Sequence, residues 1–345
     1  MNRYNTTLES DKDRLFSYSV GALLYSPANN KTICDSVIDG KFGTTYSLAL
    51  CLEDSISDYA VESAELEVVE TLKRLFLETK KRQFFLPKIF IRVRNAQQVK
   101  RISEQLEDSI EILTGFIFPK FSIGVMEEYI EQILEINRHT KQKLYMMPII
   151  ESQDIVTLST RWKVLEQIKE RLLPIREYVL NIRIGGNDLC KEFGIRRQMD
   201  QTIYDIGCVR NILADIVTCF GRDFVISGPV WEYFNSANQD WKKGMQREIA
   251  LDMVNGCIGK TVIHPKQIAV VNEALRVKEH DYLDAIKIIE LFNDQVRYVE
   301  KSVIGERMNE CKTHLRWAEK VLILAELYGV EKTCRNNKEI IPVMI

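Results

Sequence analysis

Residues 47–95 read SLALCLEDSISDYAVESAELEVVETLKRLFLETKKRQFFLPKIFIRVRN. Two short apolar runs, SLALCLED (47–54) and KIFIRVRN (88–95), flank a stretch in which Val61, Ala64, Val68, Leu72 and Leu75 recur at three- or four-residue steps. Runs of that kind fit strands buried on both faces, and the stepped spacing draws one apolar stripe along a helix. A strand, a helix and a second strand in this order form a βαβ unit, which requires parallel strands.

The same alternation extends in both directions. ALLYSPA (22–28) precedes it, and GFIFPK (115–120), KLYMMPIIES (143–152), YVLNIRIGGND (178–188), FVISGPV (224–230) and KTVIHP (260–265) follow, so the candidate strands number eight. A doubly wound sheet usually has about five to seven strands and a Gly-rich first turn; PANNKTI (27–33) has no glycine. The count therefore predicts an α/β fold, a (β/α)₈ TIM barrel. Two further amphipathic helices are expected over 281–299 (Ala285, Ile288, Ile289, Phe292, Val296, Val299) and 311–328 (His314, Ala318, Val321, Leu322, Ala325). The domain reading is a catalytic barrel over 1–278 and a C-terminal helical extension over 279–345, with a poorly specified tail after Thr333.

With 46% apolar and 28% charged residues among 345, the chain has material for a large core. The formal net charge is −2, and its short basic runs are interrupted, so a nucleic-acid partner is not expected. The N-terminal MNRYNTTLESDKDR is polar, and no apolar stretch of about 18 residues occurs; neither a leader nor a membrane span is expected, and the reading is cytoplasmic. Eight cysteines without a CxxC pair and four scattered histidines argue against a soft-metal site and for reduced thiols.

Barrel chemistry sits at the C-terminal ends of the strands. There the chain places Glu53 and Asp54, Arg92, Arg94 and Asn95, Pro119 and Lys120, Glu151, Asn187 and Asp188, and His264. A single carboxylate after a strand is commonly a helix cap, a role open to Asp54, Asp188 or Ser152. Charges ending apolar strands in several units point instead to one shared pocket. Two carboxylates with open positions suit a hard cation that keeps waters, so Glu151 and Asp188 are the expected ligands of Mg²⁺, or of Mn²⁺ in its place. Such a cation chelates a keto or hydroxy acid through two oxygens and acts as a Lewis acid while enolate charge builds. Arg92 would hold a substrate carboxylate or that oxygen, being planar, bidentate and permanently charged; the plainer reading is an ion pair with Glu53 or Asp54. His264, beside Pro265, reads as structural, and Trp231, Tyr233 and Phe234 as either an apolar wall or a rim.

These segments resemble the citrate lyase β-subunit and HpcH/HpaI aldolase superfamily in its order from about 22 to 275. LLYSPANN is similar to its L-F-x-P-A strand, CLEDS to D-L-E-D-A/S, IRVRN to V-R-V-N, FIFPK to the P-K strand and PIIES to L-I-E-T/S. RIGGNDLCKEFGI resembles G-x-x-D-L-x-x-x-x-G, and GCIGKTVIHPKQIAVVNEAL resembles G-F-x-G-K-x-x-I-H-P-x-Q-I. The resemblance implies a Mg²⁺-dependent carbon–carbon lyase or condensing enzyme. It would act on a 3-hydroxy acid or acyl thioester through an enolate, in a homo-oligomer such as a trimer or hexamer whose C-terminal segment can close a neighbouring site. It also implies a catalytic set of Arg92, Glu53 and Asp54, metal ligands Glu151 and Asp188, and substrate contacts from Arg92, Lys120, Pro27 and Asn187.

Three departures mark a divergent branch. Cys51 stands at the first D of D-L-E-D, Val20 and Gly21 replace R-S, and Arg94 intrudes between Val93 and Asn95; no basic cluster marks a CoA phosphate site. The alternatives are a non-catalytic scaffold barrel in a biosynthetic assembly of the bacterial tellurite-resistance and stress type, with which one branch of the superfamily is associated, and a thioester hydrolase using the same site.

Overall fold

The computed structural model describes residues 7–294, 297–331 and 340–341, with side-chain surroundings from Asp13 to Glu331. Eight parallel strands, each hydrogen-bonded to the next and the last to the first, close a barrel: β1 (Ala22–Pro27), β2 (Ser47–Cys51), β3 (Lys88–Arg92), β4 (Leu113–Phe118), β5 (Tyr145–Ile150), β6 (Ile182–Ile184), β7 (Ile226–Gly228) and β8 (Cys257–Val262). The expected strands all form, and the fold is the (β/α)₈ TIM barrel. They stop earlier than the apolar runs suggested, because Glu53, Asp54, Glu151, Asn187 and Asp188 lie in the βα loops beyond the last ladder bonds.

The helices are α1 (Thr7–Tyr18), α2 (Ile33–Ile38), α3 (Val61–Lys81), α4 (Ala96–Leu106), α5 (Met126–His139), α6 (Leu158–Leu172), α7 (Gly186–Glu192), α8 (Gly207–Phe220), α9 (Asp240–Val254), α10 (Lys266–Ala274), α11 (Glu279–Asp294) and α12 (Cys311–Tyr328). On α3 the predicted stripe is the buried face, with Ala64, Val68, Leu72 and Leu75 wholly covered. Each larger member contributes about 1.5–3 kcal/mol through removal of apolar area from water.

The chain forms two compact units, one spanning Val20–Val271, the other joining Met1–Ser19 to Asn272–Ile345. In the second, α11 and α12 pack on each other through Ala285, Ile288, Ala318, Val321 and Leu324, and α1 is tied to α12 by Arg14–Glu319 at 2.9 Å and by the Tyr328 hydroxyl donating to Tyr18 O at 2.7 Å. Of the helix expected over 281–299, α11 is described as far as Asp294, Val296 lies outside the described residues, and Val299 lies instead in a short antiparallel hairpin, β10 (Val299–Lys301) with β11 (Met308–Glu310). A small sheet joins β9 (Val277–Lys278), β12 (Val330–Glu331) and β13 (Ile340–Ile341). The tail, apart from Ile340 and Ile341, lies outside the described residues from 332 onwards. Among the described residues no helix is long and apolar enough to cross a membrane, and no disulfide forms.

One polar cluster is sealed between β8 and α9. The Lys260 ammonium, fully buried, donates to Glu248 at 2.9 Å and to Asp252 at 2.7 Å. Arg197 also donates to Glu248, at 2.8 Å, and the Tyr204 hydroxyl to Asp252 at 2.9 Å. The lysine of the I-G-K-T stretch thus points away from the barrel interior and clamps a helix. Burial would strip its proton, but the two carboxylates hold its pKa above the ordinary lysine value. Burial, despite Lys260, pushes Asp252 up to about 6, and the charge on Glu248 adds to this.

Lys260→Met, which removes the one cation shared by both buried carboxylates and leaves Asp252 with only the Tyr204 hydroxyl, is expected to cost about 3–5 kcal/mol in denaturant unfolding. Because Asp252 keeps its proton in the folded chain up to about pH 6, against 3.8 for the free group, its contribution is full below 3.8 and lost as pH rises to about 6. Asp252→Asn should therefore flatten the stability-versus-pH curve over that window relative to the wild type; an unchanged slope would rule the shift out.

Candidate active site

At the C-terminal end of the barrel a cavity of about 320 Å³ opens, lined by Tyr25, Asp54, Arg92, Glu151, Arg183, Asn187 and Asp188 among others. Adjoining residues Glu53, Asp54, Arg94, Pro119 and Lys120 line a second hollow. Strands β1 to β8 bring together side chains as far apart in sequence as Tyr25 and Ile263, as parallel barrels do.

Arg92, the last residue of β3, is buried and reaches Glu53 at 2.6 Å, Asp54 at 3.0 Å and Glu151 at 3.7 Å. Burial opposes its charge, yet Tyr25, Cys51 and the carboxylates hold the guanidinium above its usual pKa. Its Nε has no acceptor among the described residues. Lys120 is ion-paired with Glu53 and lies 3.6 Å from Asp54. Its backbone, at φ 49°, turns its N–H toward Glu151 Oε1, 2.9 Å away. A non-glycine residue in that region carries strain of about 1–3 kcal/mol, sustained here beside the site.

Glu151 is almost wholly buried. Burial pushes its pKa up to about 8, with the charge on Asp188 adding to this and Arg92 opposing it. Gly185 packs on the Glu151 carboxylate so closely that a Cβ there would overlap Oε2. Asp188 stands half-buried in the first turn of α7. Glu53 is likewise raised, by burial first, against the pull of Arg92. Burial would raise Asp54 too, but Glu53, Arg92 and Lys120 together bring it below the ordinary range.

The capping roles open to Asp54, Asp188 and Ser152 are not taken up: none makes a side-chain cap bond, whereas Asn95 caps α4 by accepting from Gln98 N at 3.1 Å. Of the expected substrate contacts, Arg92 and Asn187 line the cavity and Lys120 the adjoining hollow, while Pro27, exposed at the end of β1, lines neither. His264 stacks on Phe234 at 4.6 Å and accepts from Lys266 N, and Trp231 is fully buried under Arg197; neither borders the cavity.

Arg94 does not enter the cavity either. It donates to Leu52 O at 2.7 Å, to Glu53 O at 3.3 Å and to Ile56 O, and pairs with Asp58 at 2.5 Å. The residue that departs from the family pattern therefore ties down the loop that presents Glu53 and Asp54. One lining residue escaped the sequence reading. Arg183 sits inside the barrel on β6, in an apolar run where an inward polar residue at alternate spacing from Asn181 was the available signal.

Among the described residues no group of three or more His, Cys, Asp or Glu side chains could hold a metal. The fit would be to a cation that asks little of the protein: two carboxylates facing one cavity, one of them buried with a raised pKa, would suit Mg²⁺ with waters or substrate completing its shell.

The chain belongs to the family described as "C-C_Bond_Lyase of the TIM-Barrel fold", matched over residues 14–330. Its fold is that of citrate lyase β-subunit-like proteins. A citrate lyase from Burkholderia xenovorans LB400 superposes with a TM-score of 0.68 at 15% identity, over 90% of this chain and 93% of that one. The protein CitE of Mycobacterium tuberculosis, solved in complex with magnesium, acetoacetate and coenzyme A, gives 0.56 at 16% identity over 90% and 99%. No curated protein matches the sequence.

Arg94→Met should raise amide hydrogen exchange across 52–58 and cost about 1–3 kcal/mol, since three backbone acceptors lose their donor. Exchange in that loop matching the wild type would remove Arg94 from this role.

Proposed function

We propose that this chain is a Mg²⁺-dependent carbon–carbon lyase, or in reverse a condensing enzyme, acting on a 3-hydroxy acid or its acyl thioester through an enolate. The observation that carries this reading is the convergence of Glu151, Asp188 and Arg92 on one cavity at the barrel's C-terminal end. Glu151 and Asp188 would hold the cation, Mg²⁺ or Mn²⁺; when bound, it supplies a Lewis acid for the oxygens of the acid.

The chain's own groups then have distinct tasks. Arg92, with its free Nε, donates to the oxygen or carboxylate that gains charge, in a buried setting where such a bond is strong. Glu53 and Lys120 fix that guanidinium in place. Asp54, held ionised and facing the cavity, is the carboxylate placed to take up a proton. Asn187 contributes an amide at the mouth. Gly185, having no side chain, leaves the space that the Glu151 carboxylate occupies. The substrate is a small organic acid or acyl thioester, with no role for nucleic acid or a membrane. A homo-oligomer, trimeric or hexameric, fits the exposed apolar residues Tyr298, Val299, Val303, Ile304 and Met308 of the second unit. A scaffold role gains no support, because a binding-only barrel has no need to keep both carboxylates and the strained Lys120.

Proton exchange tests the reading without knowledge of the full substrate. In D₂O with Mg²⁺, the wild type should exchange the methyl protons of pyruvate, followed by NMR. Glu151→Gln or Asp188→Asn should lower that rate by about 10²-fold or more, given the size of lost electrostatic stabilisation at such sites. Exchange that is independent of the metal, or undiminished in either variant, would end the assignment.

A further inference from the structure

Arg183 is 2% exposed and lies on the inner wall of the barrel, where it forms part of the cavity lining. The register β5–β6–β7 sets Ile149, Arg183 and Ser227 side by side. Its Nη2 donates to Thr261 Oγ1 at 2.6 Å on β8. Its Nε and Nη1 have no acceptor among the described residues, and neither the Ser227 hydroxyl nor the Asn181 amide, both buried in β6 and β7 or beside them, has a partner.

No carboxylate acts on this cation. The charged or titratable groups that bear on it are Tyr25 and Arg92, and burial pulls its pKa below the usual arginine value. Tyr25, whose ring lies 5.7 Å from the Arg92 guanidinium carbon, supports the Arg183 cation through a side-chain hydrogen bond, but burial holds its hydroxyl above the ordinary tyrosine pKa and it is no carboxylate partner. Arg92 is already met by Glu53, Asp54 and Glu151. A buried guanidinium with two unused donors is costly unless an anion pairs with it, and its planar fork fits an oxyanion through two parallel bonds.

We propose that Arg183, aimed by Thr261 and flanked by Ser227, forms an oxyanion subsite at the inner end of the cavity that takes a second anionic group of the substrate, carboxylate or phosphate in kind. It is in that sense a specificity-determining residue, distinct from the groups assigned to the metal and the enolate. The inference rests on the reading that this cavity receives an organic acid. It selects among such acids in favour of those carrying an additional charge on the carbon chain.

A matched series tests this: pyruvate, oxaloacetate and 3-phosphonopyruvate, titrated calorimetrically into the full-length protein with and without Mg²⁺. The wild type should bind one or both doubly anionic acids roughly tenfold or more tightly than pyruvate, the order expected of a charge-assisted bidentate contact; which of the two wins separates carboxylate from phosphate. Arg183→Gln should erase that preference while leaving pyruvate affinity within about twofold, and Arg183→Lys should keep part of it. Without ligand, the thermal midpoint of Arg183→Gln should be no lower than that of the wild type, because a buried unpaired charge has been removed.

An unchanged preference in Arg183→Gln, or none in the wild type, overturns the subsite. If Arg183→Gln fails to fold, Thr261→Val reads the same site through loss of the bond that aims the fork; full preference retained there also overturns it. Binding that needs Mg²⁺ and Asp188 but not Arg183 removes the subsite and leaves the lyase reading standing. A preference that needs Arg183 but neither Mg²⁺ nor Asp188 does the reverse, and absence of binding by all three acids removes both.

Discussion

The guanidinium of Arg92 is the point at which the mouth of the barrel is held together. It meets carboxylates from the β2 loop at 2.6 and 3.0 Å and one from the end of β5 at 3.7 Å, while Lys120 from the β4 loop closes on the first of them. Four successive strand ends are thereby drawn to one place. A buried cation of this kind cannot be removed singly, since its partners would remain as uncompensated charges in a low-dielectric site. Burial, opposed by Arg92 and reinforced by the charges on Asp188 and Glu53, leaves Glu151 with a pKa pushed up to about 8, a deficit of positive charge that a divalent cation would offset on the proposed reading.

The wall of the barrel separates two kinds of polar chemistry. On the outside, Lys260 is matched by two carboxylates and clamps α9. On the inside, Arg183 meets only the hydroxyls of Thr261 and Tyr25 among the described residues, and its Nε and Nη1 have no acceptor. Both are fully or almost fully buried cations on neighbouring regions of the same sheet, yet only the outer one is internally satisfied. A structural ion pair and a group reserved for a ligand are distinguished by that difference, which follows from the alternation of side chains along each strand.

The fold was legible because eight apolar runs alternate with helical spacing, and a parallel barrel needs no long-range information beyond that alternation. The strand ends were placed too far along, because polar residues that complete each motif continue the run in sequence while the ladder has already ended. The hairpin at 299–310 and helix α1 escaped, since neither has a pronounced apolar period. At the mouth, the charged strand ends pointed to one pocket; Asp54, Arg92, Glu151 and Asp188 line the cavity, and Glu53 the hollow that adjoins it. Pro27 lies aside from it, because a residue at the rim can end a strand without facing inward. Arg94 reads as an intruder in the motif, and only its bonds to the carbonyls of Leu52, Glu53 and Ile56 reveal a brace. Arg183 was hidden by its apolar neighbours Ile182 and Ile184.

The most direct measurement is a crystal of the protein soaked in Mn²⁺ and examined by anomalous scattering at the manganese edge. A single peak bonded to the carboxylates of Glu151 and Asp188, in the cavity that Arg92 borders, is the expected result. Diffraction with no peak there, or a peak held by other residues, would contradict the assignment of this cavity to metal-assisted carbon–carbon chemistry.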